Sequence, residues 1–126
     1  MIDHLTLSVS DLAVSKVFYG SVLAAIGYKT SPEYISGSTK TKGIGFGGED
    51  LEFFTVQGPV NKPPVHVAFR VPNRRDVEAF YKAAIAAGGR DNGAPGLSPE
   101  HHPDYFSAYV FDPDGHNIEA VCHDPE

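Results

Sequence analysis

HLTLSVSDLAVSKVFYGSVLAAIG at residues 4–27 returns, altered but in register, as HVAFRVPNRRDVEAFYKAAIAAGG at residues 66–89. At a constant offset of 62, seven positions are identical: His4/His66, Val9/Val71, Phe18/Phe80, Tyr19/Tyr81, Ala24/Ala86, Ala25/Ala87 and Gly27/Gly89. Leu5/Val67, Leu7/Phe69 and Leu23/Ile85 match in apolar character. Self-similarity at a fixed period means one supersecondary unit used twice, so the reading of one copy constrains the other.

Each copy opens with alternation, Leu5, Leu7, Val9 and then Val67, Phe69, Val71, the period of a half-buried strand. A helix follows. Ser10 or Asp11 caps the first, whose Leu12, Phe18, Tyr19, Val22, Leu23 and Ile26 recur at helical spacing up to Gly27. Asn73 caps the second, Val77, Phe80, Tyr81, Ala84 and Ile85 carry its apolar face, and Gly88-Gly89 ends it. Hairpin-like sequence comes next. In the first copy it comprises Tyr34-Ile35, Gly43 to Phe46, a turn over Gly47-Gly48-Glu49-Asp50, and Leu51 to Val56. In the second, Tyr105 to Phe111 and Asn117 to Val121 flank the turn Asp112-Pro113-Asp114-Gly115. The expected class is α+β, with two βαβββ modules in tandem, about 1–60 and 63–126, forming one domain. The backbone-restricted stretch Gly58-Pro59-Val60-Asn61-Lys62-Pro63-Pro64 would join them. Residues 91–104, rich in Gly, Pro and His, read as a long loop of the kind that covers binding sites.

The chain of 126 residues suits one domain, large enough to bury roughly two-thirds of the surface its unfolded form exposes. With 41% hydrophobic and 21% charged residues and no apolar run near the ~20 residues of a membrane helix, a membrane span is not expected. Met1-Ile2-Asp3-His4 lacks the basic and apolar stretches of a secretory leader, so a cytoplasmic protein is expected. The single cysteine, Cys122, sits in an alternating apolar segment and reads as a buried thiol. Ten Lys and Arg against sixteen Asp and Glu give a net charge of −6, which disfavours a nucleic-acid partner.

Parity then selects a chemical face. Residues two apart on a strand share a side, so if Leu5, Leu7 and Val9 meet the helix, His4, Thr6 and Ser8 face away. By the same rule His66, Ala68 and Arg70 face away in the second copy, as do Glu52, Phe54 and Val56, and Asn117, Glu119 and Val121. A carboxylate among apolar neighbours on a central strand is costly unless it is paired, protonated or metal-bound. Two imidazoles and one or two carboxylates converging on a cleft match a site for one divalent ion, with Zn, Ni, Fe, Mn and Co all compatible.

The chain resembles the vicinal oxygen chelate superfamily, which groups glyoxalase I, fosfomycin-resistance transferases, extradiol dioxygenases, methylmalonyl-CoA epimerase and bleomycin-resistance proteins. The residues that carry the likeness are Ile2-Asp3-His4-Leu5-Thr6-Leu7-Ser8-Val9-Ser10-Asp11-Leu12 with Phe18-Tyr19, His66-Val67-Ala68-Phe69, and Asp112-Pro113-Asp114-Gly115-His116-Asn117-Ile118-Glu119. The resemblance implies a curved mixed sheet around a metal-binding cleft, with His4, His66 and Glu119 as ligands. Glu52 resembles a fourth, glyoxalase-type carboxylate, with Glu49, Asp50 or no ligand as alternatives there. A displaced Glu119 or Glu52 would then serve as proton-shuttling base. It further implies a metal-dependent enzyme acting on a small oxygenated metabolite by lyase, isomerase, transferase or dioxygenase chemistry. The alternative is a metal-free, bleomycin-resistance-type protein that sequesters its ligand. A homodimer is expected on the resemblance, with His4 and Glu52 of one subunit meeting His66 and Glu119 of another, or both modules facing each other within one chain.

Other side chains are candidates for substrate contact. Arg70 could clamp a carboxylate or phosphate bidentately. Tyr105 and Tyr109 share the cleft face of their strand, and His102, with His101, could reach the mouth from its loop. His116 is expected to order its turn, His123 to lie near a fraying tail, and Tyr19 and Tyr81 to be core.

Overall fold

The computed structural model describes residues 1–126. In chain order it contains β1 (Leu5–Val9), α1 (Leu12–Ala24), β2 (Lys29–Thr30), β3 (Tyr34–Ile35), β4 (Lys42–Gly47) and β5 (Leu51–Gln57), then β6 (His66–Arg70), α2 (Arg74–Ala86), β7 (Arg90–Leu97), β8 (Phe106–Phe111) and β9 (Asn117–Cys122). The two helices sit at the repeat offset, residue for residue. Asp11 caps α1 through Val14 N–H, and Asn73 caps α2 through Asp76 N–H, which satisfies donors that the helix itself cannot reach. Both helices run out into a left-handed glycine, Gly27 at φ 92° and Gly88 at φ 95°. The second stop therefore comes one residue earlier than the repeat implies, at Gly88 and not at Gly89.

Two mixed sheets result, one drawn from each copy. The first has the order β1-β5-β4-β2 with β3 also on β4, and the second the order β6-β9-β8-β7. In each, the opening strand pairs in parallel with the closing strand, β1 with β5 and β6 with β9, while the other pairs are antiparallel. The helices pack against each other and each covers its own sheet. One cluster runs through both halves: Leu7, Phe18, Tyr19, Phe46 and Phe53 from the first meet Phe69, Phe80, Val110 and Ile118 from the second. Phe53 and Phe69 touch edge to face across the junction, at 5.4 Å between ring centroids. Burying each such side chain contributes roughly 1.5–3 kcal/mol, so this shared cluster binds the two sheets together.

The stretch 91–104 is not one long loop. Residues 90–97 form β7, an edge strand on β8, and only the turn between Leu97 and Phe106 is irregular. The Gly and Pro content that reads as loop is accommodated because β7 is at the sheet edge and its register shifts twice, around Gly93. Tyr105 ends that turn and is not the first residue of the strand. Cys122 is buried, as its alternating context implies.

Candidate functional site

The second sheet builds the chemical site. Parallel pairing of β6 with β9 sets His66 against Asn117 and Ala68 against Glu119, all on the face turned away from α2. Glu119 is 1% exposed, on an interior strand between β6 and β8. Both of its oxygens have partners. His66 Nε2 stands 2.9 Å from Oε1, and the Tyr105 hydroxyl donates to Oε2 at 2.5 Å. Tyr109 lies across from Glu119 on β8, and its ring centroid is 6.3 Å from that of His66. Burial, followed by the hydrogen bond to Glu119 and that residue's charge, pushes the Tyr105 phenol well above the ordinary tyrosine range. It is therefore a proton donor throughout the neutral range.

His4 and Glu52 are elsewhere in this chain. His4 Nδ1 lies 2.6 Å from Asp3 Oδ1, and its ring meets Phe54 edge to face at 5.6 Å. Glu52 accepts a hydrogen bond from the Tyr28 hydroxyl at 2.8 Å. Burial first, then this bond and the Glu52 charge, raises the Tyr28 phenol to about 12. No cluster of three or more His, Cys, Asp or Glu side chains in the chain is arranged to hold an ion. The register also separates Glu52 from the role that Glu119 has in the second sheet. β5 sets Phe54 against Thr6, the repeat counterpart of Ala68, so the structural equivalent of Glu119 is Phe54. Glu52 falls one pleat earlier, at the counterpart of Asn117. Sequence offset alone could not show this, because the hairpin arms of the two copies differ in length.

The free edges of β1 and β6 border a groove of about 740 Å³. Phe53, Phe69 and Leu7 give it apolar walls, Glu52 and Arg70 give it charge, and the His66 imidazole lines it beside them. Arg70 is exposed there and has no ion-pair partner. Its guanidinium thus remains free to bind an anion.

Sequence reading reduces Asp112-Pro113-Asp114-Gly115 to a turn, but in the structure it is a clasp between the halves. Asp112 accepts from Tyr19 Oη at 2.5 Å and from the backbone of Asp114 and His116, while Asp114 takes the Ser10 amide and hydroxyl. His116 orders this turn as expected, and it also accepts the Val65 amide on Nδ1, tying down the entry to β6. Tyr19 is core, yet its hydroxyl has a specific partner. Tyr81 bonds Asp91 on its own side. His102 turns away from the groove to bond His123 at 2.8 Å, so the tail histidine is anchored; His101 lies beside Tyr105, at 4.7 Å between centroids.

The signature of the Glyoxalase/Bleomycin resistance protein/Dioxygenase superfamily matches residues 1–120. The chain belongs to that superfamily. A glyoxalase/bleomycin resistance protein from Albidiferax ferrireducens T118 is 28% identical, with a TM-score of 0.76 over 95% of this chain and 97% of that one. A glyoxylase/bleomycin resistance protein/dioxygenase domain from Frankia sp. EAN1pec shares the fold at 17% identity, TM-score 0.75, with 98% of each chain covered. So does a mutant of the fosfomycin resistance protein FosX from Listeria monocytogenes, solved with Mn(II) and a dihydroxypropylphosphonic acid, at 19% identity and TM-score 0.70, covering 98% of this chain and 93% of that one. No curated protein matches the chain in sequence. The α+β architecture that the resemblance implies is the one observed, its strands divided here between two mixed sheets. No helix is long and apolar enough to cross a membrane.

Proposed function

We propose that this member of the glyoxalase/bleomycin resistance/dioxygenase superfamily is a divalent-metal-dependent enzyme acting on a small oxygenated metabolite. Its metal set would be His66 and Glu119 of one subunit with the partner subunit's His4, in a homodimer whose subunits are each one domain of two modules. The observation that carries this is the buried Glu119 carboxylate with His66 Nε2 at 2.9 Å. Imidazole nitrogen and carboxylate oxygen are the donors such an ion takes, and a closed pair of them on neighbouring strands fits as part of its coordination sphere. A further donor has to come from outside the chain, since none of its own His, Cys, Asp or Glu joins them.

A divalent ion held there supplies Lewis acidity toward a substrate oxygen. The chain's own residues do the rest. Tyr105 fixes Glu119 Oε2 and leaves Oε1 with the His66 side, which orients the carboxylate for a ligand on that face. The Glu119 carboxylate would be the group placed to take a proton from substrate, with the Tyr105 hydroxyl as its neighbouring donor. Arg70 would bind the substrate's anionic group, and Tyr109 would stand beside the His66 ring, outside the groove's own lining. With Phe54 in the place of a second carboxylate, the protein donors would be the two imidazoles and Glu119 alone. Glu52 then acts through Tyr28 to shape the groove, outside the metal set.

Metal analysis of protein purified without added ions tests the reading. One equivalent per subunit is expected, lost in both His4→Ala and His66→Ala. Mixing the two variants should restore part of the binding, because mixed dimers regain one intact site. A metal-free protein that binds aromatic cations would replace this reading with ligand sequestration.

A further inference from the structure

The turn that carries Tyr105 to Glu119 is held by two histidines whose tautomers, with both rings neutral, follow from their hydrogen bonds. His102 Nδ1 lies 3.1 Å from the Asp104 amide nitrogen, which can only donate. Nδ1 is therefore bare, and the ring proton of neutral His102 sits on Nε2. That Nε2 is 2.8 Å from His123 Nδ1, so His102 donates and His123 accepts. His123 must then be bare at Nδ1 and carry its proton on Nε2. The rings are nearly coplanar along this bond, with centroids 4.9 Å apart and 20° between planes, and the Tyr105 ring stands edge-on to both, at 5.5 Å from His102 and 5.2 Å from His123. The turn's own backbone closes the arrangement, with Ser98 N–H donating to Tyr105 O and Tyr105 N–H to His102 O.

We propose that His102 and His123 form a neutral imidazole clasp that positions Tyr105 on Glu119 and opens when either ring is protonated. A proton on His102 Nδ1 removes the acceptor for Asp104 N–H, and a proton on His123 Nδ1 removes the acceptor for His102. Each event also sets a cation against the neighbouring ring. The charged and titratable groups around the pair are Glu100, His101, Asp104 and Tyr105 on the turn, Cys122, Asp124 and Glu126 on the tail, and Arg74 at the start of α2. Arg74 reaches Asp104 at 3.9 Å and Glu126 at 3.5 Å, so the nearby carboxylates are partly committed to it. Both histidines are half-buried, within reach of bulk protons. Neither ring touches substrate in this arrangement; they are positioning residues that act through Tyr105.

The catalytic consequence rests on the proposed role of Glu119, but the clasp itself is measurable without metal. Amide hydrogen exchange of Asp104 and Tyr105, corrected for its intrinsic pH dependence, reports the turn directly. His123→Leu removes the acceptor, whereas His123→Asn keeps an oxygen near the Nδ1 position. At pH above neutrality, exchange is expected to accelerate about tenfold in the Leu variant, the size of one lost hydrogen bond, and to stay near wild type in the Asn variant. In the wild type it should accelerate on acidification. Nitrogen chemical shifts should show both rings as Nε2–H tautomers before that. Equal exchange in wild type and His123→Leu, equal loosening by Leu and Asn, or an Nδ1–H tautomer for either ring would each overturn the clasp. A Mn(II) titration of the same three proteins separates the two proposals: failure of the wild type to bind Mn(II) counts against the metal site alone, while the exchange data still decide the clasp.

Discussion

His66 Nε2 and Glu119 Oε1 face each other at 2.9 Å across neighbouring parallel strands, and the carboxylate is almost wholly shielded from water. A buried carboxylate is tolerated only while its partners remain. Glu119→Ala strands the Tyr105 hydroxyl and the His66 ring and leaves a void, and we expect a loss of about 1–3 kcal/mol in denaturant unfolding. Glu119→Gln keeps the volume and an acceptor for Tyr105, so it should cost less while still abolishing metal binding. Comparable loss of stability in both variants would place the importance of Glu119 in its charge and not in its packing.

The Tyr19–Asp112 bond joins the first helix to the last hairpin, 93 residues apart in sequence. Burial, reinforced by the Asp112 charge and hydrogen bond, pushes the Tyr19 phenol far above its ordinary range. Tyr19→Phe removes one bond to a buried carboxylate and should destabilise by about 1–3 kcal/mol, whereas Asp112→Ala also frees the Asp114 and His116 amides and should cost more. Tyr81→Phe is the internal control. Tyr81 occupies the repeat-equivalent position, but its bond to Asp91 lies at the exposed surface, and little change in stability is expected.

These contrasts show where the sequence was legible. The helices, the Asn73 cap and a first cap at Ser10 or Asp11 are read from local sequence, and both helices obey the repeat offset, with Asp11 proving to be the cap. Local patterns also placed His66, Glu119, Tyr105 and Tyr109 on one face. What they could not supply was register between distant strands: Glu52 and Glu119 look alike in sequence, yet pairing makes Phe54 the true counterpart of Glu119. Nor does a turn motif announce its long-range partners, so the bonds of Asp112 to Tyr19 and of His102 to His123 emerge only in three dimensions. The edge strand β7 was hidden because glycine and proline are permitted at a sheet border in a way that propensity does not register.

Alkaline pH should weaken the fold through its tyrosines. Tyr28 titrates at about 12 in the folded protein against 10.0 for the free side chain, so its contribution to stability is fully present below pH 10. As pH rises through the folded value, the unfolded state, which releases its proton more readily, is increasingly favoured. Tyr19 and Tyr105 are raised in the same sense. Phenolate absorbance is expected to show at least these tyrosines titrating late, with unfolding accompanying the last of them. Normal titration of every tyrosine in protein that circular dichroism shows to be folded would refute the buried hydrogen bonds.

The turn between β4 and β5 decides where Glu52 and Phe54 fall, and one glycine governs it. A Cβ on Gly47 would lie 2.0 Å from the Asp50 carbonyl oxygen and 2.8 Å from Leu51 Cα, both backbone atoms that cannot rotate aside. The register shifts at this point, between Phe46 and Gly47, so the close approach is what allows the bulge. Gly47→Ala must push the two strands apart, at a cost of about 1–3 kcal/mol by analogy with overpacked cores. The displacement would carry along β5, with the Tyr28–Glu52 bond the first feature of the groove to feel it. Gly48 is the matched control: a Cβ there meets nothing within 4 Å, and Gly48→Ala should change stability by no more than about 0.5 kcal/mol. Thermal or denaturant melts of the two variants check the contrast, and equal melts would mean that the hairpin relaxes around the new methyl group without moving the site.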